Sequence, residues 1–311
     1  MTGRLLALNH NRSGERMNVD LARGGVWSAE TWADMNKVVA QEAARVRVVQ
    51  KVFPTTPVPG ARNVSADEVT CDPTGIVEIK EGTPRPLVEM QGGFRLTQTQ
   101  IENESKDQAG LRVARLVART LALAEDLVLL RGKDAIESSN LIVGGGAAQS
   151  PKIQVLSPKS VQDGLLQDAS GTPIKVPSAS YPTDFIKLVS DGIASLTSIG
   201  ELGPYALLIA EDQYSKLYRI PGNLSVTYEN LLKQSVTGGL YPTGALRKLK
   251  GTGSFGLLAS LSGGPVSVYI GSEPRVAFIQ SDPNGVLQFR VSERVQYVVR
   301  NKQALVRLEF E

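Results

Sequence analysis

Residues 52–86 limit most strongly what this chain can fold into. Pro54, Pro57, Pro59, Pro73, Pro84 and Pro86 all fall inside the segment. Each removes a backbone donor and fixes φ, so no helix runs through it. Short β-type runs stand between the prolines, such as Ile76-Val77-Glu78-Ile79. The pattern predicts a long two-stranded excursion rather than a compact unit. Two strands alone bury little of themselves, so the excursion needs a partner surface. Another copy of the same chain is one candidate.

The flanking segments follow other periods. Residues 1–27 read as an extended arm. Ser28 then offers a helix N-cap, with Glu30 in the first turn. Trp32, Met35, Val38, Val39, Ala43 and Val46 recur at three- and four-residue steps, which predicts an amphipathic helix over 28–48. After a strand over 87–96, Leu111, Ala114, Leu116, Leu123, Leu127 and Leu130 predict one long spine helix over 105–131. Gly132 stops it. Residues 132–182 are rich in loops, with Gly144-Gly145-Gly146, a short strand over 152–156 and a turn at Asp168-Ala169-Ser170-Gly171. A helix capped by Thr183 follows. The apolar run 206–210, led by Gly203-Pro204-Tyr205, reads as a buried strand. Helices over 212–219 and 228–236 enclose the loop 220–227. Strands are expected at 256–261, 266–271 and 275–280. Alternation of Leu287, Phe289, Val291, Val295, Tyr297 and Val299, then the run 304–310, predicts a terminal β region.

Residue counts remove several kinds of chemistry. There is one cysteine, Cys71, and one histidine, His10. No intrachain disulfide or histidine-rich metal centre can form, and the reading is cytoplasmic. A Ser-His-Asp or Cys-His site would have to use His10, in the irregular N-terminal stretch. Phosphate-cradling and dinucleotide glycine motifs are absent. Glu125 and Asp126 adjoin on the spine, about 100° apart, and form no two-acid site by themselves; a salt-bridged or solvated role is expected. The net charge of +3 gives no nucleic-acid footprint. No apolar run reaches the roughly 18 residues of a membrane span, and the opening lacks the apolar core of a secretory signal. No catalytic, metal or cofactor residue is therefore assigned.

The order of elements resembles the HK97-type phage-capsid fold, and several segments resemble the encapsulins, linocin M18-like shell proteins of family 1. Leu21-Ala22-Arg23-Gly24-Gly25-Val26-Trp27-Ser28-Ala29-Glu30-Thr31-Trp32 looks like their opening. Pro86-Leu87-Val88-Glu89, followed by Phe94-Arg95-Leu96-Thr97, is similar to their Pro-Leu-Ile-Glu strand and the Phe-x-Leu after it. Ala124-Glu125-Asp126-Leu127-Val128-Leu129-Leu130-Arg131-Gly132 resembles the acidic end of their spine helix. Gly203-Pro204-Tyr205 matches their strand entry, and the segment 297–308 looks like their closing pattern, with Lys302 in place of a proline.

The resemblance implies an α+β, HK97-like capsid fold. An N-terminal arm (1–27) and helix (28–51) would precede an extended loop (52–86). A peripheral domain would take 87–182 and 281–311, with an insertion at about 133–163, and an axial domain 183–280. It implies a structural shell subunit, not an enzyme, closing into an icosahedral compartment of sixty copies or a multiple of sixty. Trp32, Met35, Val39 and Val46 would form a groove for the C-terminal targeting peptide of a cargo protein, by analogy a peroxidase or a ferritin-like iron oxidiser. Gln50 and Lys51 stand where relatives often carry arginine and aspartate beside that groove. Ile220, Pro221, Gly222, Asn223, Leu224, Ser225, Val226 and Thr227 would rim a fivefold pore. Thr99 stands where some relatives stack an aromatic on flavin, so no cofactor is expected. Two alternatives stay open: a phage or prophage major capsid protein packaging DNA, and an unrelated enzyme.

Overall fold

A computed structural model describes residues 26–71, 74–139, 152–169, 172–222, 225–249 and 253–311. His10, most of the arm, Gly144-Gly145-Gly146, Ser170, Gly171, Asn223 and Leu224 lie outside these residues.

The first helix, α1, spans Ala29–Val46. Ser28 caps it as expected: its side chain accepts the Thr31 N–H. A break at Arg47 and one helical turn, Val49–Val52, lead into the excursion. Its strands are β1 (Thr55–Pro57), β2 (Asn63–Val64), β3 (Glu68–Cys71), β4 (Val77–Lys80) and β5 (Arg85–Pro86); β2 pairs with β5 and β3 with β4. Strand β6 covers Val88–Thr97 and alternates buried with more exposed residues.

The spine helix, α2, is Ala109–Arg131, so it is shorter than the 105–131 predicted, about 34 Å at 1.5 Å per residue. Two single turns, Gln98–Glu102 and Glu104–Asp107, precede it. The break has a local cause. Gln108 turns into the left-handed region (φ 49°), and the Glu104 carboxylate accepts the Gly110 and Leu111 N–H groups at 2.7 and 2.9 Å. A glycine at 110 leaves room for this: a Cβ there would press on Glu104, Leu96 and Trp27 at 3.0–3.1 Å. At the other end Gly132 stops the helix as predicted, at φ 59°.

Further along lie β7 (Ile153–Val155), β8 (Ile174–Val176), α3 (Phe185–Ser198), β9 (Tyr205–Ala210), α4 (Tyr228–Ser235), β10 (Gly239–Thr243), β11 (Ser254–Ser260), β12 (Val266–Ser281), β13 (Val286–Val299) and β14 (Leu305–Phe310). Thr183 does not cap α3; its hydroxyl bonds that of Tyr228 instead. Strand β9 is buried at every residue, as its unbroken apolar run predicts. Strand β10 escapes a reading by pattern because it holds Pro242. An edge position tolerates a proline, and β10 is an edge.

Two five-stranded sheets result, ordered β1-β12-β13-β6-β7 and β10-β9-β11-β14-β8. This pairing redraws the expected domain limits. Residues 266–280, expected in the axial unit, form most of β12 and pair along β13 in the first sheet. Strand β14, expected with the peripheral unit, pairs with β11 and β8 in the second. The turn Lys302–Ala304 carries the chain from one sheet to the other. The two strands expected at 266–271 and 275–280 are one strand whose register shifts near Gly271 and Pro274. Helices α1 and α2 pack on one face of the first sheet, around Met90, Leu96, Phe289 and Val291. A second core lies between α3, α4 and the second sheet.

Candidate functional site

Four features bear on function. The first is the surface around α1. Trp27 stacks on Phe289 with ring centroids 4.9 Å apart and meets Trp32 edge-on at 5.0 Å. Phe289 in turn stacks on Phe94 at 5.1 Å. Beside this cluster opens a cavity of about 320 Å³ bounded by Trp27, Thr31, Asp34 and Met35 on one side and by Ile101, Glu102, Glu104 and Leu111 on the other. The four residues predicted to form a groove divide. Met35 borders the cavity but is itself 1% exposed, whereas Trp32 and Val46 are half-buried and outside its lining. Val39 is 0% exposed, in the core between α1, α2 and the sheet, and does not line the cavity. The Ile101–Leu111 side escaped the sequence reading because it comes from other elements.

The second feature is a buried charge cluster where α1 ends. The Arg47 Nε lies 2.5 Å from the Glu125 carboxylate, its Nη1 lies 3.0 Å from Glu273, and its Nη2 bonds Glu293. Gln50 donates to Glu125 at 2.6 Å. Asp126 accepts the Val48 and Val49 N–H groups at 2.8 and 3.0 Å, anchoring the turn that follows α1. Glu125 is salt-bridged, as expected, whereas Asp126 is neither salt-bridged nor solvated: it is buried and holds backbone N–H groups instead. Burial raises Glu125 and Glu293 above the usual carboxylate range. Burial, with the Glu125 charge beside it, pushes Asp126 up to about 7. Burial by itself lowers Arg47; the surrounding carboxylates outweigh it and hold the guanidinium charged.

The third is the excursion. Its β3–β4 hairpin leaves Ile76, Val77 and Ile79 exposed at 65, 69 and 71%. It touches its own body near the root, where the Val69 N–H reaches the Arg300 carbonyl at 3.0 Å and Lys302 meets Glu68 at 3.4 Å. Asp67, Glu68, Glu78 and Glu81 make it acidic, against Lys80. The first sheet's face turned away from α1 and α2 is basic. Arg290 pairs in register with Gly93, Arg294 with Glu89, Arg95 with Gln288 and Arg275 with Ser292, while Phe289, Val291 and Val295 point to the opposite, helical face.

The fourth is the loop 220–227. Ile220, Gly222, Ser225 and Val226 are exposed and Pro221 is half-buried. The Tyr228 N–H closes the loop on the Arg219 carbonyl at 3.1 Å. Thr227 is turned inward to cap α4, its hydroxyl oxygen accepting the Asn230 N–H at 3.3 Å. Among the described residues no helix is long and apolar enough to cross a membrane.

Comparison with known proteins meets this geometry at several points. The family described as "Encapsulating protein for peroxidase" matches residues 157–296. A type 1 encapsulin shell protein of Brevibacterium linens is 22% identical over 265 residues, 85% of this chain and 87% of that protein. The virus-like particle from Pyrococcus furiosus superimposes with a TM-score of 0.62 at 16% identity, covering 90% of this chain and all of that one. The capsid of Myoviridae phage XM1 gives 0.53 at 11% identity, over 85 and 91% of the two chains. The chain has the HK97-type capsid fold and is similar to encapsulin shell proteins.

Proposed function

We propose that this chain is a structural subunit of a closed icosahedral compartment in the cytoplasm, built from sixty copies or a multiple of sixty and enclosing a cargo protein. The β3–β4 hairpin carries the reading. Its apolar side chains stand in solvent on an isolated two-stranded ribbon, which water does not stabilise by itself. A second copy supplies the missing surface. The acidic hairpin and the arginine-bearing sheet face are complementary in charge, which gives the contact a direction and makes it head-to-tail. Head-to-tail contacts that close on themselves give a shell, and many weak contacts in a closed shell resist dissociation together.

The cargo peptide binds at the cavity beside Trp27, Ile101 and Leu111, rather than along the whole α1 stripe, because a cavity lined by both apolar and polar side chains suits a short peptide. A peroxidase is the cargo suggested by the matching family. The loop at 220–227 lines the opening on the fivefold axis. Negative-stain electron microscopy of the purified protein is expected to show uniform hollow particles. A monomer at high concentration sinks the proposal. The likeness to a phage capsid keeps a DNA-packaging reading in view, and nucleic acid recovered from nuclease-treated particles favours it.

A further inference from the structure

The elbow at residues 47–53 joins α1 to the root of the excursion, and one guanidinium holds it to three other elements. Arg47 reaches Glu125 on α2, Glu293 on β13 and Glu273 on β12. The side chains of Arg47, Glu125 and Glu293 are at most 4% exposed, and Asp126 is fully buried beside them; only Glu273 reaches solvent. The other charged side chains near the elbow turn elsewhere: Arg45 and Arg119 to Glu42, and Lys51 to the Arg45 carbonyl. If every carboxyl were ionised, one positive charge would stand against three negative ones without water, an arrangement whose desolvation goes uncompensated.

The geometry avoids this. The Glu125 and Glu293 carboxyls converge on one guanidinium, at its Nε and Nη2, and a carboxylate offers no donor of its own unless it carries a proton. The buried Glu125 Oε2 and Glu293 Oε1 accept no hydrogen bond.

We propose that Glu125 and Glu293 share one proton and that this pair, bridged by Arg47, is a proton-dependent latch on the elbow. With the proton in place the elbow is clamped to the spine and the sheet. Without it two carboxylates face each other in the interior and the clamp loosens. The direction of the effect follows from the raised folded-state affinity for the proton. Stabilisation is complete below the unfolded carboxylate range and is lost as pH rises through the folded value. Asp126, at about 7, adds to the same trend. The elbow is therefore tighter in mild acid than in alkali. If the shell reading holds, the root of the hairpin that meets the neighbour loosens with it.

Hydrogen exchange of the peptide 47–53 in the full-length protein, followed from pH 6 to 9 and corrected for the intrinsic base-catalysed rate, tests the latch. Protection in the wild type is expected to fall by about tenfold more than in Glu293→Gln, whose amide donates to Glu125 at every pH. Glu125→Gln reads the same proton if Glu293→Gln does not fold. Equal losses of protection in wild type and variant, or a flat wild-type profile, overturn the proposal. Exchange is read on the elbow itself, so absence of particles would end the shell reading and leave this result standing.

Discussion

At the scale of single residues, Arg47 shows how a side chain outside any motif organises a molecule. Its partners Glu125, Glu273 and Glu293 lie 78, 226 and 246 residues further along the chain. Arg47→Ala leaves the Glu125 and Glu293 carboxyls buried without a counter-charge, and we expect a loss of about 3–5 kcal/mol in thermal or denaturant unfolding. Adding Glu293→Gln to Arg47→Ala is expected to recover part of that loss, because one fewer carboxylate is then stranded. Val39 makes a different point. Its helical spacing was legible, and so was its apolar face, but not whether that face met a peptide or a sheet. Val39→Asp is expected to unfold the protein rather than spare the fold while blocking cargo; a stable, fully assembled variant would reverse that assignment.

At the scale of elements, local chemistry was the most readable. Ser28 caps α1, Gly132 ends the spine, and the unbroken apolar run at 206–210 is a buried strand. Each depends on residues close in sequence. Gly132 also shows what proximity in space adds. Its φ is positive, and a Cβ would fall 2.2 Å from the Gln162 carbonyl oxygen. Gly132→Ala is therefore expected to cost at least about 2 kcal/mol, readable as a lowered melting temperature, where an ordinary exposed C-cap change costs less. The start of the spine was misread because Glu104, a residue of the preceding turn, takes the first N–H groups of α2 in place of its N-cap. No three- or four-residue period records that substitution.

At the scale of the whole molecule, the hairpin and the basic sheet face belong to one argument about charge. Arg290→Glu with Arg294→Glu is expected to abolish particles in electron microscopy while leaving a folded subunit, since these side chains lie outside the core. Reversing the hairpin acids, Glu78→Lys with Glu81→Lys, is expected to do the same alone. Combining both pairs is expected to restore particles; failure of the combination to do so removes the hairpin–sheet contact. Removal of residues 65–83, which spares β1, is expected to leave folded subunits that never close.

What the sequence determined by itself were the features written in neighbouring residues: the proline-broken excursion that cannot cover itself, the helical and strand periods, the caps, and an order of segments that already resembled a shell protein. Only the tertiary structure decided which strands share a sheet, that β12 and β14 exchange places between the expected units, and that Arg47 sits among carboxyls from three distant elements. The reason is physical. Local structure follows from backbone sterics and periodicity over a few residues, whereas strand partners and buried ion pairs depend on contacts between segments hundreds of residues apart. Many pairings fit the same apolar pattern, and packing selects among them.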